Sequence, residues 1–180
     1  MKPMIPMRNG KMRSECGQSF CYYYTPILWL TKTSMFSKAT EYALRATIFI
    51  AQKSGVDKKL GLHEIAKGIN SPKSFTAKIL QKLTAGNKIV SSSRGPHGGF
   101  FITEKAKKLP VRSIIKAMGE DEVLEKCVLG LNQCSDAKPC PMHSRYKNIK
   151  KELVAMFETK TIQNLADEIT NGEDIITNLK

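Results

Sequence analysis

The sequence predicts a mostly α-helical chain with one small β-hairpin, and three observations carry this prediction. Apolar residues recur at helical spacing from Ser37 onward. A glycine-rich segment at residues 94–99 separates two short runs of strand-forming residues. A second long amphipathic stretch follows a loop that holds three cysteines. With 180 residues, the chain is long enough for one domain with an appendage.

The composition excludes several classes of protein. Hydrophobic residues make up 41% and charged residues 25% of the chain, so a wholly disordered protein is not expected. The net charge of +13 favours a polyanionic partner, because each neutralised phosphate releases counterions. Five unevenly placed cysteines do not suit a secreted disulfide scaffold and favour a reducing compartment. No nucleophile–base pair or carboxylate dyad is evident, so we do not expect an enzyme.

Residues 1–34 differ from the rest of the chain, since they sustain neither a helical nor a strand period. Their apolar run at residues 20–30 contains three tyrosines and Pro26 and is too short to span a bilayer. We therefore expect a non-native or disordered extension and no membrane partner. The chain that begins at Met35 keeps a net charge of +9.

Three predicted helices open the next segment, residues 35–110. The first ends at Gly55, the second covers residues 62–67, and the third covers residues 72–85. Ser71 is a suitable N-cap for the third helix, and proline suits its first position. The first helix carries one apolar stripe, made of Ala39, Tyr42, Ala43, Ala46, Phe49 and Ile50.

The third helix has an apolar face and a basic polar face. The predicted inward residues are Phe75, Ile79, Leu80 and Leu83. The predicted outward residues are Lys73, Ser74, Thr76, Lys78 and Lys82. A helix, a glycine-containing turn at Gly68 and a capped helix with a basic face are typical of a helix-turn-helix. A plain three-helix bundle with solvated lysines fits this part of the pattern equally well.

A predicted β-hairpin follows and favours the first alternative. Its strands cover residues 89–92 and 100–103, and its glycines allow close approach to a phosphate backbone. Arg94, beside Gly95, is placed to enter a narrow minor groove. We expect His97 to contact phosphate or solvent rather than a metal. The sequence therefore predicts a winged helix-turn-helix domain.

The three clustered cysteines predict a metal site within residues 111–143, which also hold a linker helix. Cys127, Cys134, Cys140 and His143 have the spacing C-x6-C-x5-C-x2-H in a loop rich in turn-forming residues. Thiolates favour iron–sulfur clusters, Zn²⁺ or Cu⁺. These gaps are wider than the usual spacing of structural zinc sites, and proline flanks Cys140 on both sides as in some cluster loops. The chemistry favours a cluster, with zinc and incidental or redox-active thiols as alternatives.

Residues 144–180 predict a dimerisation helix and a tail with a short helix at residues 161–169. The long helix covers residues 144–159. A domain of this size cannot easily bury the helix's apolar stripe alone, so we expect a homodimer that meets half-sites about one turn apart. Packing within one chain is the alternative. The stripe consists of Tyr146, Ile149, Leu153, Met156 and Phe157.

On these features the sequence resembles the IscR/NsrR-type family of winged helix-turn-helix iron–sulfur transcription regulators. The resemblance extends over residues 35–180. It is carried by the opening MFSKATEYALR, by the stretch SF…LQKL at residues 74–83 and by the wing SRGPHGGF at residues 93–100. Two departures stand out: one extra residue between Leu83 and Val90, and one extra residue after Cys127 relative to the family's C-x5-C-x5-C spacing.

The resemblance implies a cytoplasmic, homodimeric DNA-binding regulator, expected to be a repressor of promoters in double-stranded DNA. Its control would come from a [2Fe-2S] or [4Fe-4S] cluster that senses iron–sulfur status, nitric oxide or redox state. Cys127, Cys134 and Cys140 correspond to the family's cysteine ligands. The fourth ligand would be His143, or Glu41 from the other subunit. Glu41 has a simpler alternative role as a surface carboxylate beside Lys38 and Arg45.

The expected DNA contacts follow from the same resemblance and from the predicted helix-turn-helix and wing. Four residues of the third helix and three of the wing are expected to read or flank DNA: Lys73, Ser74, Phe75, Lys78, Arg94, Gly95 and His97. Two alternatives stay open. One is the same DNA-binding regulator with zinc or no metal, and the other is a small iron–sulfur electron-transfer or carrier protein.

Overall fold

The computed structural model describes residues 34–55, 58–85, 89–131 and 136–170, all within one compact unit. The described residues are mostly helical with one two-stranded antiparallel hairpin, which confirms the predicted fold class. Apart from Ser34, the predicted extension lies outside them. The elements are α1 (Lys38–Lys53), α2 (Leu62–Gly68), α3 (Lys73–Thr84), β1 (Ser91–Ser93), β2 (Gly99–Phe101), α4 (Glu104–Lys107), α5 (Arg112–Met118), a 3₁₀ helix (Asp121–Leu124), α6 (His143–Thr159) and α7 (Ile162–Thr170).

The helix α1 forms where the apolar stripe predicts it. Its N-cap is Ser37, whose hydroxyl accepts a hydrogen bond from the Thr40 N–H at 3.3 Å. Ala43, Ala46 and Ile50 of the stripe are completely buried, and the other three residues pack against the same core. The helix ends at Lys53, two residues before the predicted stop at Gly55.

The turn between α2 and α3 is closed by Asn70, which adopts a left-handed backbone conformation with φ of 50°. The prediction that Ser71 caps α3 is wrong. The helix starts one residue later than this prediction requires, with Pro72 at the N-cap, and the Ser71 N–H closes the preceding turn onto the Ala66 carbonyl at 2.9 Å. The Ser71 hydroxyl is buried without a hydrogen-bond partner among the described residues.

The hairpin pairs Ser91 with Phe101 and Ser93 with Gly99. Its first strand begins two residues later than predicted, because Ile89 and Val90 are buried in the core as the chain leaves α3. A third segment joins the hairpin from the α1–α2 connection. Leu60 and Phe100 exchange backbone hydrogen bonds of 2.9 and 2.8 Å. The wing is thereby tied to the helical body.

The core lies between α1, α3, α5 and the base of the hairpin. The helix α7 completes it, since Ile162 and Ala166 are buried against α1. The Gln52 side-chain amide donates to the Ala166 carbonyl at 3.0 Å and fixes this packing. The helix α5 contacts α1, α3 and the 3₁₀ helix that precedes Cys127, so it connects the start of the cysteine segment to the core.

The helix α6 packs differently, although it covers the predicted residues. Of its residues only His143 is buried, while Ile149 and Met156 are 60% and 50% exposed. Phe157 makes one aromatic contact, edge-on to Phe36 at 5.7 Å between ring centroids. Within the described ranges, every helix is too short or too polar to span a bilayer.

Candidate DNA interface and metal centre

The outer face of α3 presents the predicted basic residues. Lys73, Ser74 and Lys78 are exposed, and the first turn contains no acidic residue. The positive end of the helix dipole therefore adds to the lysine charges and favours an anion. Thr76 was expected on this face, but the prediction is wrong because the residue is completely buried. Its hydroxyl donates to the Pro72 carbonyl at 3.1 Å, which satisfies the group inside the protein.

Phe75, which was predicted to face inward, is half-buried. Its ring packs edge-on against Tyr42 of α1, with 5.6 Å between the centroids. The Arg45 guanidinium lies 5.0 Å from the centre of the same Tyr42 ring. Phe75 thus anchors the start of α3 to α1, and its expected contact with DNA stays a prediction.

The wing tip exposes Arg94, Gly95 and His97 together. Gly95 has φ of +110°, a conformation that other residues rarely adopt. Gly98 donates to the Gly95 carbonyl at 2.9 Å, and a Cβ atom at Gly98 would lie 2.5 Å from the Ser93 carbonyl oxygen. Gly95 and Gly98 are therefore required by the shape of the turn that carries the basic and polar tip.

Most described residues of the cysteine loop (residues 127–142) are exposed. Cys127 is buried and Cys140 is half-buried, whereas Cys134 falls outside the described residues. The Cys140 carbonyl accepts a hydrogen bond from the His143 N–H at 2.9 Å, so these two candidate ligands share one backbone turn. Among the described residues, no three His, Cys, Asp or Glu side chains are grouped closely enough to hold a metal ion. Three apolar side chains of the loop are about half exposed: Val128, Leu129 and Leu131.

His143 is buried at the start of α6, with 7% of its surface exposed. Its Nε2 lies 2.7 Å from an Asp136 carboxylate oxygen. Lys147 donates to both Asp136 oxygens at 2.8 and 2.7 Å. These contacts, first Lys147 and then His143, hold the pKa of Asp136 below its usual value. The sequence analysis missed Asp136, since a lone carboxylate in a polar loop gives no periodic signal.

Glu41 has the local partners that its spacing predicts. Its carboxylate lies 2.7 Å from Lys38 Nζ and 3.8 Å from an Arg45 guanidinium nitrogen. Hydrogen bonds from Lys38 and then Ser34 lower the pKa of Glu41. The carboxylate is therefore ionised and positioned on α1. Its expected role as a ligand from the other subunit stays a prediction.

The exposed basic α3, set behind a helix-turn and followed by a glycine-tipped hairpin, defines a winged-helix DNA-binding protein. The Rrf2 family model, described as iron-dependent transcriptional regulators, matches residues 36–168. The chain therefore belongs to the Rrf2 family. It is a transcriptional regulator and not an enzyme, as the sequence predicts.

Curated relatives agree with this assignment. The chain is 31% identical over 133 residues to a protein from Aquifex aeolicus named as an HTH-type transcriptional regulator, covering 73% of this chain and 90% of that one. It is 24% identical over 135 residues to the HTH-type transcriptional regulator IscR of Klebsiella pneumoniae, covering 75% and 78%.

Solved structures share the fold. CymR, the global cysteine regulator of B. subtilis, superposes with a TM-score of 0.60 at 19% identity, covering 76% of this chain and 98% of CymR. IscR from T. potens gives a TM-score of 0.57 at 17% identity, covering 77% and 90%. These similarities establish the winged-helix architecture.

Proposed function

We propose that this regulator is a cytoplasmic homodimer and a repressor, whose affinity for promoter DNA depends on an iron–sulfur cluster. The thiols of Cys127, Cys134 and Cys140 would hold the cluster, with His143 or Glu41 as the fourth ligand. The observation that carries the proposal is the concentration of three cysteines within residues 127–140 of a DNA-binding protein. The description of the family as iron-dependent supports it.

The donor set suits such a cluster in its chemistry. Three thiolates and one imidazole or carboxylate are soft and borderline ligands that match iron–sulfur coordination. Cys140 and His143 are joined by a backbone hydrogen bond, so these two proposed ligands lie on one turn of the chain. The apolar residues that follow Cys127 are about half exposed, so they would be available to cover a bound group.

The His143–Asp136 contact bears on how the loop would work. In this conformation Asp136 contacts Nε2 of His143, and Lys147 donates a hydrogen bond to the same Asp136 carboxylate. For His143 to bind iron through Nε2, Asp136 has to move away from that nitrogen. The loop would then exist in two arrangements, and a regulator needs two states that differ in DNA affinity. When bound, a cluster supplies a centre that oxidants, nitric oxide or iron shortage can remove.

The exposed face of α6 supports a homodimer. Ile149 and Met156 are 60% and 50% exposed on one helix, which leaves apolar surface that the described residues do not cover. A two-fold pairing through this helix would bury both side chains and place two copies of α3 on successive half-sites.

The cluster claim is tested by anaerobic purification, a visible absorption spectrum, and counts of iron and sulfide. We expect a coloured protein with both elements. Cys134→Ala should lose the colour and the iron, whereas Cys16→Ala, a cysteine far from the loop in the sequence, should keep them. A colourless wild-type protein without iron would contradict the proposal.

The fourth ligand is tested by comparing two variants, His143→Ala and Glu41→Ala, for iron content and spectrum. The variant that lacks the ligand should show an altered spectrum and faster cluster loss in air, and the other should match the wild type. If both variants match the wild type, neither residue is a ligand.

Zinc at the same cysteines is the second candidate, because three thiols and an imidazole also suit that ion. An iron-free protein that contains zinc and binds its operator fully, without responding to oxidants, would favour it. The electron-transfer alternative finds no support in a family of transcriptional regulators.

A further inference from the structure

One arginine joins three segments that the sequence separates widely. The Arg112 guanidinium, at the first residue of α5, donates to both carboxylate oxygens of Asp121 at 2.7 and 3.0 Å. It also donates to Glu125 at 2.7 Å and to Glu158 at 2.5 Å. Three carboxylates thus share one guanidinium, whose side chain is 19% exposed.

Each carboxylate belongs to a different part of residues 121–159. Asp121 opens the 3₁₀ helix, Glu125 lies two residues before Cys127, and Glu158 lies one residue before the end of α6. Lys150 of α6 reinforces the junction by donating to the Glu125 carbonyl oxygen. The entry to the cysteine loop is therefore tied to both α5 and α6.

The helix α5 carries this junction into the DNA-binding body. It packs against α1 and against α3, the helix with the exposed basic face. Ile114 and Ile115, which follow Arg112, are completely buried. A displacement at the start of α5 therefore has to be absorbed by the core that holds α3, because closely packed interiors do not deform freely.

The three ion pairs differ in how easily they break. The bidentate pair with Asp121 is the most shielded, with Asp121 24% exposed. Glu125 and Glu158 are 64% and 52% exposed, so their bonds to Arg112 exchange readily with water. A rearrangement at Cys127 would release Glu125 first and leave the Arg112–Asp121 pair in place.

We propose that Arg112 is the positioning residue that links the state of the cysteine loop to α3. With the loop ordered, Glu125 and Glu158 hold Arg112 and fix α5 against α6. When the loop rearranges, the hydrogen bond between Arg112 and Glu125 breaks, and the packing of α5 against α3 changes. The inference rests on the proposed function, because it requires DNA affinity to depend on the occupancy of the cysteine site.

The test measures operator affinity by fluorescence anisotropy for the cluster-loaded and cluster-free protein, and takes the ratio of the two dissociation constants. Arg112→Gln and Glu125→Gln should both bring this ratio toward one, a loss of about fivefold or more for a typical coupling between two sites. Both variants should keep the wild-type iron content. Glu125→Gln retains the Arg112–Asp121 pair, so it tests the link with the fold intact.

Arg112→Lys and Lys107→Gln are the controls. Lysine keeps the charge but not the fork that binds several carboxylates, so Arg112→Lys should restore the ratio only in part. Lys107→Gln breaks a comparable ion pair with Glu104 on α4 and should keep the wild-type ratio. Wild-type ratios in both Arg112→Gln and Glu125→Gln would overturn the inference alone. A ratio of one in the wild type would overturn the proposed function and the inference with it.

Discussion

The helices α1 and α6 have nearly equal lengths, 16 and 17 residues, but opposite surroundings. Seven residues of α1 are buried, whereas His143 is the buried residue of α6. Both helices carry an apolar stripe in their sequence. The stripe of α1 is covered by α3, α5 and α7 of the same chain, while Ile149 and Met156 of α6 face solvent.

This difference distinguishes the DNA-binding body from the region that holds the cysteines and α6. The body around α1 is closely packed and presents a DNA-reading surface in a fixed shape. Among the described residues from Cys127 to the end of α6, few are buried, so we expect the conformation of this region to depend on what binds the loop and on what covers the helix. In many regulators a segment that changes conformation lies beside a rigid binding domain.

The largest effect is expected from a core substitution in the body. Leu80→Ala on α3 removes a completely buried side chain, so unfolding in urea should lose about 2–5 kcal/mol of stability. The exposed neighbour Lys82 provides the control, since Lys82→Ala should change stability by less than about 0.5 kcal/mol. Equal effects of the two changes would show that α3 is not part of the core.

The next effect tests the opposite character of α6. Introducing charges with Ile149→Glu and Met156→Glu should raise the dimer dissociation constant at least about tenfold, because buried apolar residues dominate such interfaces. Thermal unfolding of the body should change little. Sedimentation analysis measures the dimer, and Asn148→Glu on the same helix is the matched control. A dimer that survives both charges would assign another use to this face.

The wing gives a smaller but more specific effect. Arg94→Ala should weaken operator binding by about 1–3 kcal/mol and lower the slope of affinity against salt by about one. The reason is the loss of one exposed guanidinium at the tip formed around Gly95. Lys105→Ala, an exposed lysine on α4, should leave the affinity unchanged. Unchanged affinity and salt slope in Arg94→Ala would contradict the wing assignment.

The smallest effect is a dependence of stability on acid. Hydrogen bonds from Arg112 lower the pKa of Asp121 in the folded protein below its ordinary value of 3.8. This stabilisation is fully present above that value and is lost as the pH falls through the lower folded pKa. Asp121→Asn should therefore flatten the fall in stability below about pH 4, by less than about 1 kcal/mol for a partly exposed pair. Identical acid unfolding curves would rule out this contribution.

Much of the body could be predicted from the sequence, because helical periodicity and glycine-rich turns are local signals. Buried threonines were less predictable. Thr76 reads as polar and outward, yet its hydroxyl is satisfied by the backbone of its own helix, which allows burial. The start of α3 was also misplaced: the Ser71 hydroxyl makes no capping hydrogen bond among the described residues, and Ser71 belongs to the turn that Asn70 makes possible.

The contacts within residues 112–159 were harder to predict from the sequence. The cysteine spacing located the candidate ligands, but Asp136 beside His143 carries no signal of its own. Arg112 binds carboxylates 9, 13 and 46 positions away, separations with no helical or strand period. Contacts of this kind arise from the packing of separate elements, so only a three-dimensional structure reveals them.

The central claim is that the state of the cysteine loop sets the DNA affinity of the winged-helix body. The most direct measurement is the dissociation constant of the wild-type protein for its operator, with the cluster present and after its removal by chelation under air. The account predicts two values that differ by about fivefold or more, the size of a typical coupling between sites. Equal dissociation constants in a protein that demonstrably gains and loses iron would contradict it.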